Sequence, residues 1–169
     1  DAGRLEDALK LYEEVLALRQ MVLGPEHSGT LSAMHKLATS YYETGRRGEA
    51  LRLREEVLLL NRKVLGTEHP QTLLAMGSLA TSYYAAGRRE DSLKLREEVL
   101  THCRKLLGRE HSQTLTAMNN LALSYGDARR HEEALRLWEE LLTLQRKLWG
   151  PEHPDTPDTL RTMHNLALS

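Results

Sequence analysis

A period of 42 residues runs through the chain. Glu26-His27 recurs as Glu68-His69, Glu110-His111 and Glu152-His153, and Gly24 recurs as Gly66, Gly108 and Gly150. Leu37-Ala38 returns as Leu79-Ala80 and Leu121-Ala122. Laying 28–69 on 70–111 without a gap matches about 26 of 42 positions. A unit this short cannot bury its own apolar face, so neighbours must bury it for one another. The chain of 169 residues holds about four such units. The repeat therefore predicts a solenoid, an architecture that offers extended surfaces, and the function class that follows is binding.

Within 28–69, Leu31, Met34, Leu37, Ala38 and Tyr41 mark one face of a helix, and Gly45 stops it. A second pattern runs through Ala50, Leu51, Leu53, Val57, Leu58, Leu60 and Leu65 to Gly66. Its apolar stripe is wider, as befits a helix between two neighbours. We name these helix A and helix B. The short link Thr44-Gly45-Arg46 makes them antiparallel. The same reading places A helices near 28–44, 70–86, 112–128 and 158–169, and B helices near 5–23, 47–65, 89–107 and 131–149. The expected organisation is one array: helix B of a truncated repeat in 1–27, full repeats 28–69, 70–111 and 112–153, and helix A of a truncated repeat in 154–169. Pro70 falls in a first helical turn, where proline is tolerated. Arg129 replaces the turn glycines Gly45 and Gly87, which costs about 1 kcal/mol if the left-handed turn persists. Three extra residues before the last A helix stretch the period to about 45 there and reshape that turn.

Composition narrows the partners. The net charge of −1 gives no long-range field favouring nucleic acid or an anionic membrane. No apolar run approaches the roughly 20 residues that span a bilayer. Cys103 is the single cysteine, so no intrachain disulfide forms, which fits the reducing cytoplasm. No nucleophile sits with a plausible base, and no phosphate loop or paired carboxylates occur, so no enzyme is expected and no cofactor is implied.

The chain resembles the tetratricopeptide repeat family in its 42-residue form, as found in kinesin light chain. The residues that carry the resemblance are Thr114-Leu115, Asn119-Asn120-Leu121-Ala122, Tyr125, Glu133-Ala134, Arg146-Lys147-Leu148 and Gly150-Pro151-Glu152-His153-Pro154. It implies an all-α, right-handed α-solenoid of antiparallel helix pairs, with A helices lining a concave groove. It also implies groove-facing positions between the core positions of helix A. The candidates for peptide binding are His35, Thr39 and Tyr42; Gly77, Ser78, Thr81 and Tyr84; Asn119, Asn120 and Leu123; and Arg161 and Asn165. Ser32, Lys36, Leu74, Thr116, Gly126 and His164 share that face. These positions vary between units while the core positions repeat. The lysine, arginine and asparagine clamp that some family members use for a chaperone's terminal carboxylate is absent. Asparagine before Leu-Ala, kept at Asn120 and Asn165, offers a donor and an acceptor to an extended peptide. Little charge lines the groove, which suits a neutral or mildly acidic peptide.

Other features have plainer readings. His27, His69, His111 and His153 lie one unit, roughly 10 Å, apart. No two could share a zinc ion, so a loop role is expected and metal is not. Met34, Met76, Met118 and Met163 share one core position. Tyr42 and Tyr84 turn partly toward the groove or lie partly under a neighbouring helix. Tyr12, Arg54, Arg96 and Trp138 occupy a helix-B position that is usually large and apolar in the family. The two arginines there pair with Glu55, Glu56, Glu97 or Glu98, or form a basic convex stripe. Arg46-Arg47, Arg88-Arg89 and Arg129-Arg130 favour the C-terminal ends of the A helices through the helix dipole.

The sequence opens and closes in mid-repeat, which reads as a segment of a longer array. Leu160, Met163, Leu166 and Ala167 at one end, and Leu5, Ala8, Leu9, Tyr12 and Leu16 at the other, are expected to be open. Joined between chains they nearly rebuild a unit, and such a heterologous contact gives weak head-to-tail self-association. Two functions follow: a non-catalytic interaction module binding a peptide or partner helix in the groove, or a structural spacer or end-to-end assembly segment of a larger signalling or scaffold protein.

Overall fold

Leu, Ala, Glu and Arg dominate the sequence, and the apolar periods of three and four fold into helices. The computed structural model describes residues 2–150. Seven α-helices lie there: α1 (Ala2–Leu23), α2 (Ser28–Glu43), α3 (Arg47–Leu65), α4 (Pro70–Ala85), α5 (Arg89–Leu107), α6 (Ser112–Asp127) and α7 (His131–Trp149). The even-numbered helices are A helices and the odd-numbered ones B helices. Observed ends fall within one residue of the expected ones, except that α1 starts at Ala2 rather than near 5. Gly3 lies in its first turn, where few intrahelical hydrogen bonds exist for a glycine to weaken. The last A helix, near 158–169, and the stretched turn before it lie outside the described residues.

The chain divides into two compact units between Arg88 and Arg89. In the first, α2 packs on α1 and α3, and α4 packs on α3. In the second, α6 packs on α5 and α7. The repeating apolar positions form the cores. Met34 and Met76 in the first unit, and Met118 in the second, have no exposed surface. Met163 lies outside the described residues.

Each junction repeats one set of polar locks. His27, His69 and His111 cap the A helices: each Nδ1 accepts a hydrogen bond from the backbone N–H two residues on, at 3.0, 3.2 and 3.2 Å. This is the loop role expected of them, satisfying a donor that a helix start leaves free. His153 lies outside the described residues. Buried Thr30, Thr72 and Thr114 donate to the carbonyls of Gly24, Gly66 and Gly108 at 2.8, 2.7 and 2.7 Å, pinning each loop to the helix that follows. Glu26 pairs with Lys63, and Glu110 with Lys147.

The A–B turns carry the arginines. Arg46, Arg88 and Arg130 lie over the rings of Tyr41, Tyr83 and Tyr125, 4.0–4.4 Å from the centroids. Each tyrosine hydroxyl donates to a glutamate of the preceding B helix, Glu13, Glu55 or Glu97, at 2.8–2.9 Å. The same arginines hold those glutamates at 3.3, 3.0 and 3.5 Å. These arginines therefore act through specific pairs as well as through the helix dipole. Arg129 has φ of 58°, beside 81° at Gly45 and 77° at Gly87, so the left-handed turn does persist without glycine.

Candidate functional site

The residues expected on the A-helix face fall into two classes. In the first unit, Ser32, Lys36, Leu74, Thr81 and Tyr84 are exposed, and His35, Thr39, Tyr42, Gly77 and Ser78 are half-buried. In the second, Thr116, Asn120 and Leu123 are exposed and Gly126 is half-buried. Asn119 departs from expectation. It is only 4% exposed, and its Oδ1 has no partner among the described residues. The helical positions before Leu-Ala rotate the second asparagine outward and the first inward. Arg161, His164 and Asn165 lie outside the described residues.

Thr39 and Thr81 donate to backbone carbonyls one turn back, of His35 and Gly77, at 3.0 and 3.1 Å. Their methyl groups and hydroxyl oxygens remain for a ligand. Gly77 leaves open space on this face: a Cβ added there would meet nothing within 4 Å.

Arg54 corrects the reading of the B-helix arginines. It is 6% exposed and reaches between helices rather than to Glu55 or Glu56 or out to a convex stripe. Its Nη1 donates to the Ser78 carbonyl at 3.0 Å and to Ser82 Oγ at 2.7 Å. Its guanidinium lies 4.7 Å from the centre of the Tyr42 ring. Tyr42 is therefore partly covered, by an arginine below and by Arg47 at 5.9 Å. In the second unit Arg96 repeats the arrangement, donating to the Asn120 carbonyl at 2.7 Å and to Ser124 Oγ. The sequence did carry a signal for this: an arginine inside the apolar stripe of helix B must bring its own partners. Burial, and then the nearby Arg54 charge, hold the His35 pKa below its ordinary 6.5, so that ring is neutral near pH 7.

Between α2 and α4 the first unit contains a cavity of about 70 Å³, lined by Leu31, Ser32, His35, Asn61, Gln71 and Leu74. Asn61 comes from α3, beneath the two A helices, and is 3% exposed. Sequence reading missed it because it sits among the apolar positions of helix B. Its equivalents in register are Cys103 and Gln145. Among the described residues, no group of three or more His, Cys, Asp or Glu could hold a metal ion. No helix there is long and apolar enough to cross a membrane.

The tetratricopeptide repeat family model matches residues 1–58 and 78–147. The chain belongs to the tetratricopeptide repeat family. Among solved structures, a Podosopora anserina protein described as a kinesin light chain with nearly identical TPR-like repeats is 33% identical. That match covers 98% of this chain and 77% of the other, with a TM-score of 0.88. BtubC (BKLC) from P. vanneervenii shares the fold at 22% identity and a TM-score of 0.85, over 98% of this chain and 65% of that one. No curated protein matches the sequence. The fold is thus an all-α solenoid of antiparallel tetratricopeptide helix pairs, of the kinesin-light-chain-like kind. Proteins of this repeat generally mediate protein–protein interaction.

Proposed function

We propose that this chain is a non-catalytic receptor for an extended peptide or a partner helix, held along the A-helix face. The observation that carries this reading is the contrast between faces. Core positions repeat from unit to unit, whereas Ser32, Leu74 and Thr116, or Lys36, Ser78 and Asn120, change at equivalent places. Packing demands sameness, and a ligand surface does not. Exposed Leu74, Tyr84 and Leu123 supply apolar area among hydroxyls and amides, a mixture suited to peptide recognition. Few charges line the face, which favours a neutral or mildly acidic peptide. The repeats, taken as 28–69, 70–111 and 112–153 with partial repeats outside them, form one array in this reading. A buried free thiol at Cys103 suits a cytoplasmic setting.

The test is peptide-display selection on the chain beside the variant Tyr42→Ala/Tyr84→Ala/Asn120→Ala, with folding checked by circular dichroism. Peptides that bind the first and not the second support the receptor. Equal enrichment on both, or none on either, removes it.

A second reading, the spacer or self-assembly segment, rests on α1. Leu9 and Leu16 are buried, contrary to the expectation that they would be open, because they face inward. Ala8 and Tyr12 are exposed as expected, and Leu11, Leu18, Met21 and Val22 are exposed beside them. An apolar-lined cavity of about 160 Å³ lies between Leu11, Tyr12 and Val15 of α1 and Ala33 of α2, bordered by Arg19 and Lys36. Side chains of 158–169 and of Leu5 lie outside what the structure describes, so in this reading the α1 face carries the weak self-association.

A further inference from the structure

The cavity between α2 and α4 contains a buried amide at its floor. Asn61 is 3% exposed, and its Nδ2 donates to the Gln71 carbonyl at 3.3 Å. Only the amide nitrogen can donate, so this bond fixes the orientation of the side chain. Oδ1 is left as a buried acceptor with no partner among the described residues. Buried polar atoms in folded proteins are nearly always satisfied, and an exception calls for a cause. The equivalent position in α5 is Cys103, buried without an amide, and in α7 it is Gln145, a buried amide whose Oε1 also has no partner among the described residues.

The rest of the lining narrows the missing partner. Leu31 and Leu74 make apolar walls, and Ser32, His35 and Gln71 add polar groups without formal charge. A neutral His35 presents one acceptor nitrogen and one donor. Arg54 lies close enough to act electrostatically on His35, and its charge disfavours an ammonium group in the cavity. Arg54 is not among the residues that line the cavity, so it offers no fork there for a carboxylate. A carboxylate would moreover set acceptor against acceptor at Asn61 Oδ1. A primary carboxamide meets the whole lining. Its two N–H groups suit Asn61 Oδ1 and the His35 acceptor nitrogen, and its carbonyl can accept from Ser32 or Gln71.

The geometry points to a subsite between α2 and α4 that takes the carboxamide of a glutamine or asparagine side chain from the bound partner and rejects its acid counterpart. This rests on the reading of the A-helix face as a peptide receptor. The subsite itself can be tested with small probes, independently of any peptide.

The experiment is a titration of isotope-labelled protein at pH 7 with N-acetyl-glutamine methylamide and, separately, N-acetyl-glutamate methylamide, followed by NMR at the His35 ring and Asn61 side chain. Saturable shifts at both residues are expected, with the amide bound at least about tenfold more tightly than the acid. Asn61→Cys, which copies the residue tolerated at 103, should abolish that preference with helicity unchanged. His35→Ala, at a position Gly77 fills in the next repeat, should weaken amide binding independently. Equal binding of the two probes, no binding, shifts elsewhere, or a preference that survives Asn61→Cys would overturn the subsite. Selected peptides that depend on Tyr42 and Tyr84 yet tolerate Asn61→Cys would overturn the subsite and leave the receptor. Amide binding without any groove-dependent peptide would do the reverse.

Discussion

Arg129 holds a left-handed backbone at φ 58° where its counterparts are glycines. A Cβ in that conformation is strained, and among the described residues no side-chain hydrogen bond or ion pair holds the arginine there. Arg129→Gly should therefore stabilise the protein by about 1 kcal/mol, read as a higher urea midpoint at unchanged slope. The capping histidines act in the opposite direction. His69→Ala removes the acceptor for the Gln71 N–H and should cost about 1 kcal/mol in the same assay. Tyr125 allows a test by pH. Burial, then its hydrogen bond to Glu97 and the charge of that carboxylate, push its pKa up from 10 to about 12. A folded-state value above the unfolded one stabilises fully below about pH 10, and that contribution disappears as pH climbs toward 12. Alkaline titration followed by tyrosinate absorbance should show a late step near pH 12 that Tyr125→Phe removes. A titration curve unchanged by that substitution would refute the assignment. At this scale the sequence was legible wherever a residue repeated. The Arg129 conformation and the histidine loop role both came from register alone. Asn119 was not legible, because two adjacent asparagines differ only in helical phase, by about 100°.

The helix pairs draw their stability from contacts across elements. Arg54 joins α3 to α4 through Ser78 and Ser82 and underlies Tyr42 of α2. Truncating it leaves a gap under three helices and removes charge-assisted hydrogen bonds. Arg54→Ala should destabilise by roughly 2–3 kcal/mol. Arg54→Met, nearer the apolar residue usual at this position, should cost clearly less, since buried charge is no better than well-packed apolar volume. Equal losses in thermal unfolding of the two variants would contradict this account. The helix boundaries were readable because apolar spacing and turn glycines state them twice. The destination of Arg54 was not, since periodicity says that a side chain faces a neighbour but not which groups await it there. Asn61 shows the same limit, for its missing partner is visible only once Gln71 is in place. The Tyr–Glu–Arg locks were hidden for another reason: Tyr41 and Glu13, or Tyr125 and Glu97, lie 28 residues apart and meet only through packing.

For the molecule as a whole, the proposed self-association rests on apolar surface and not on charge. The net charge of −1 provides little mutual repulsion between copies near neutral pH. On α1, meanwhile, Leu11, Leu18, Met21 and Val22 are exposed, Met21 at 84%. Contiguous apolar surface on a helix face is a site of association, and its attraction does not weaken when salt screens charges. Sedimentation equilibrium across a concentration series should thus show a rising apparent mass, equally at low and at high salt. Leu18→Glu/Met21→Lys changes no net charge and places polar groups on that face, and it should hold the mass at the monomer value. The same variant must leave any peptide selected on the A-helix face fully bound, because α2 and α4 carry that face in the first unit. A mass that stays monomeric in the parent chain would end the self-assembly reading. A mass that rises but collapses in salt would instead assign association to charged side chains. If peptide binding and association fail together in the α1 variant, the two surfaces are not independent, and the choice between receptor and spacer would no longer be a choice between faces.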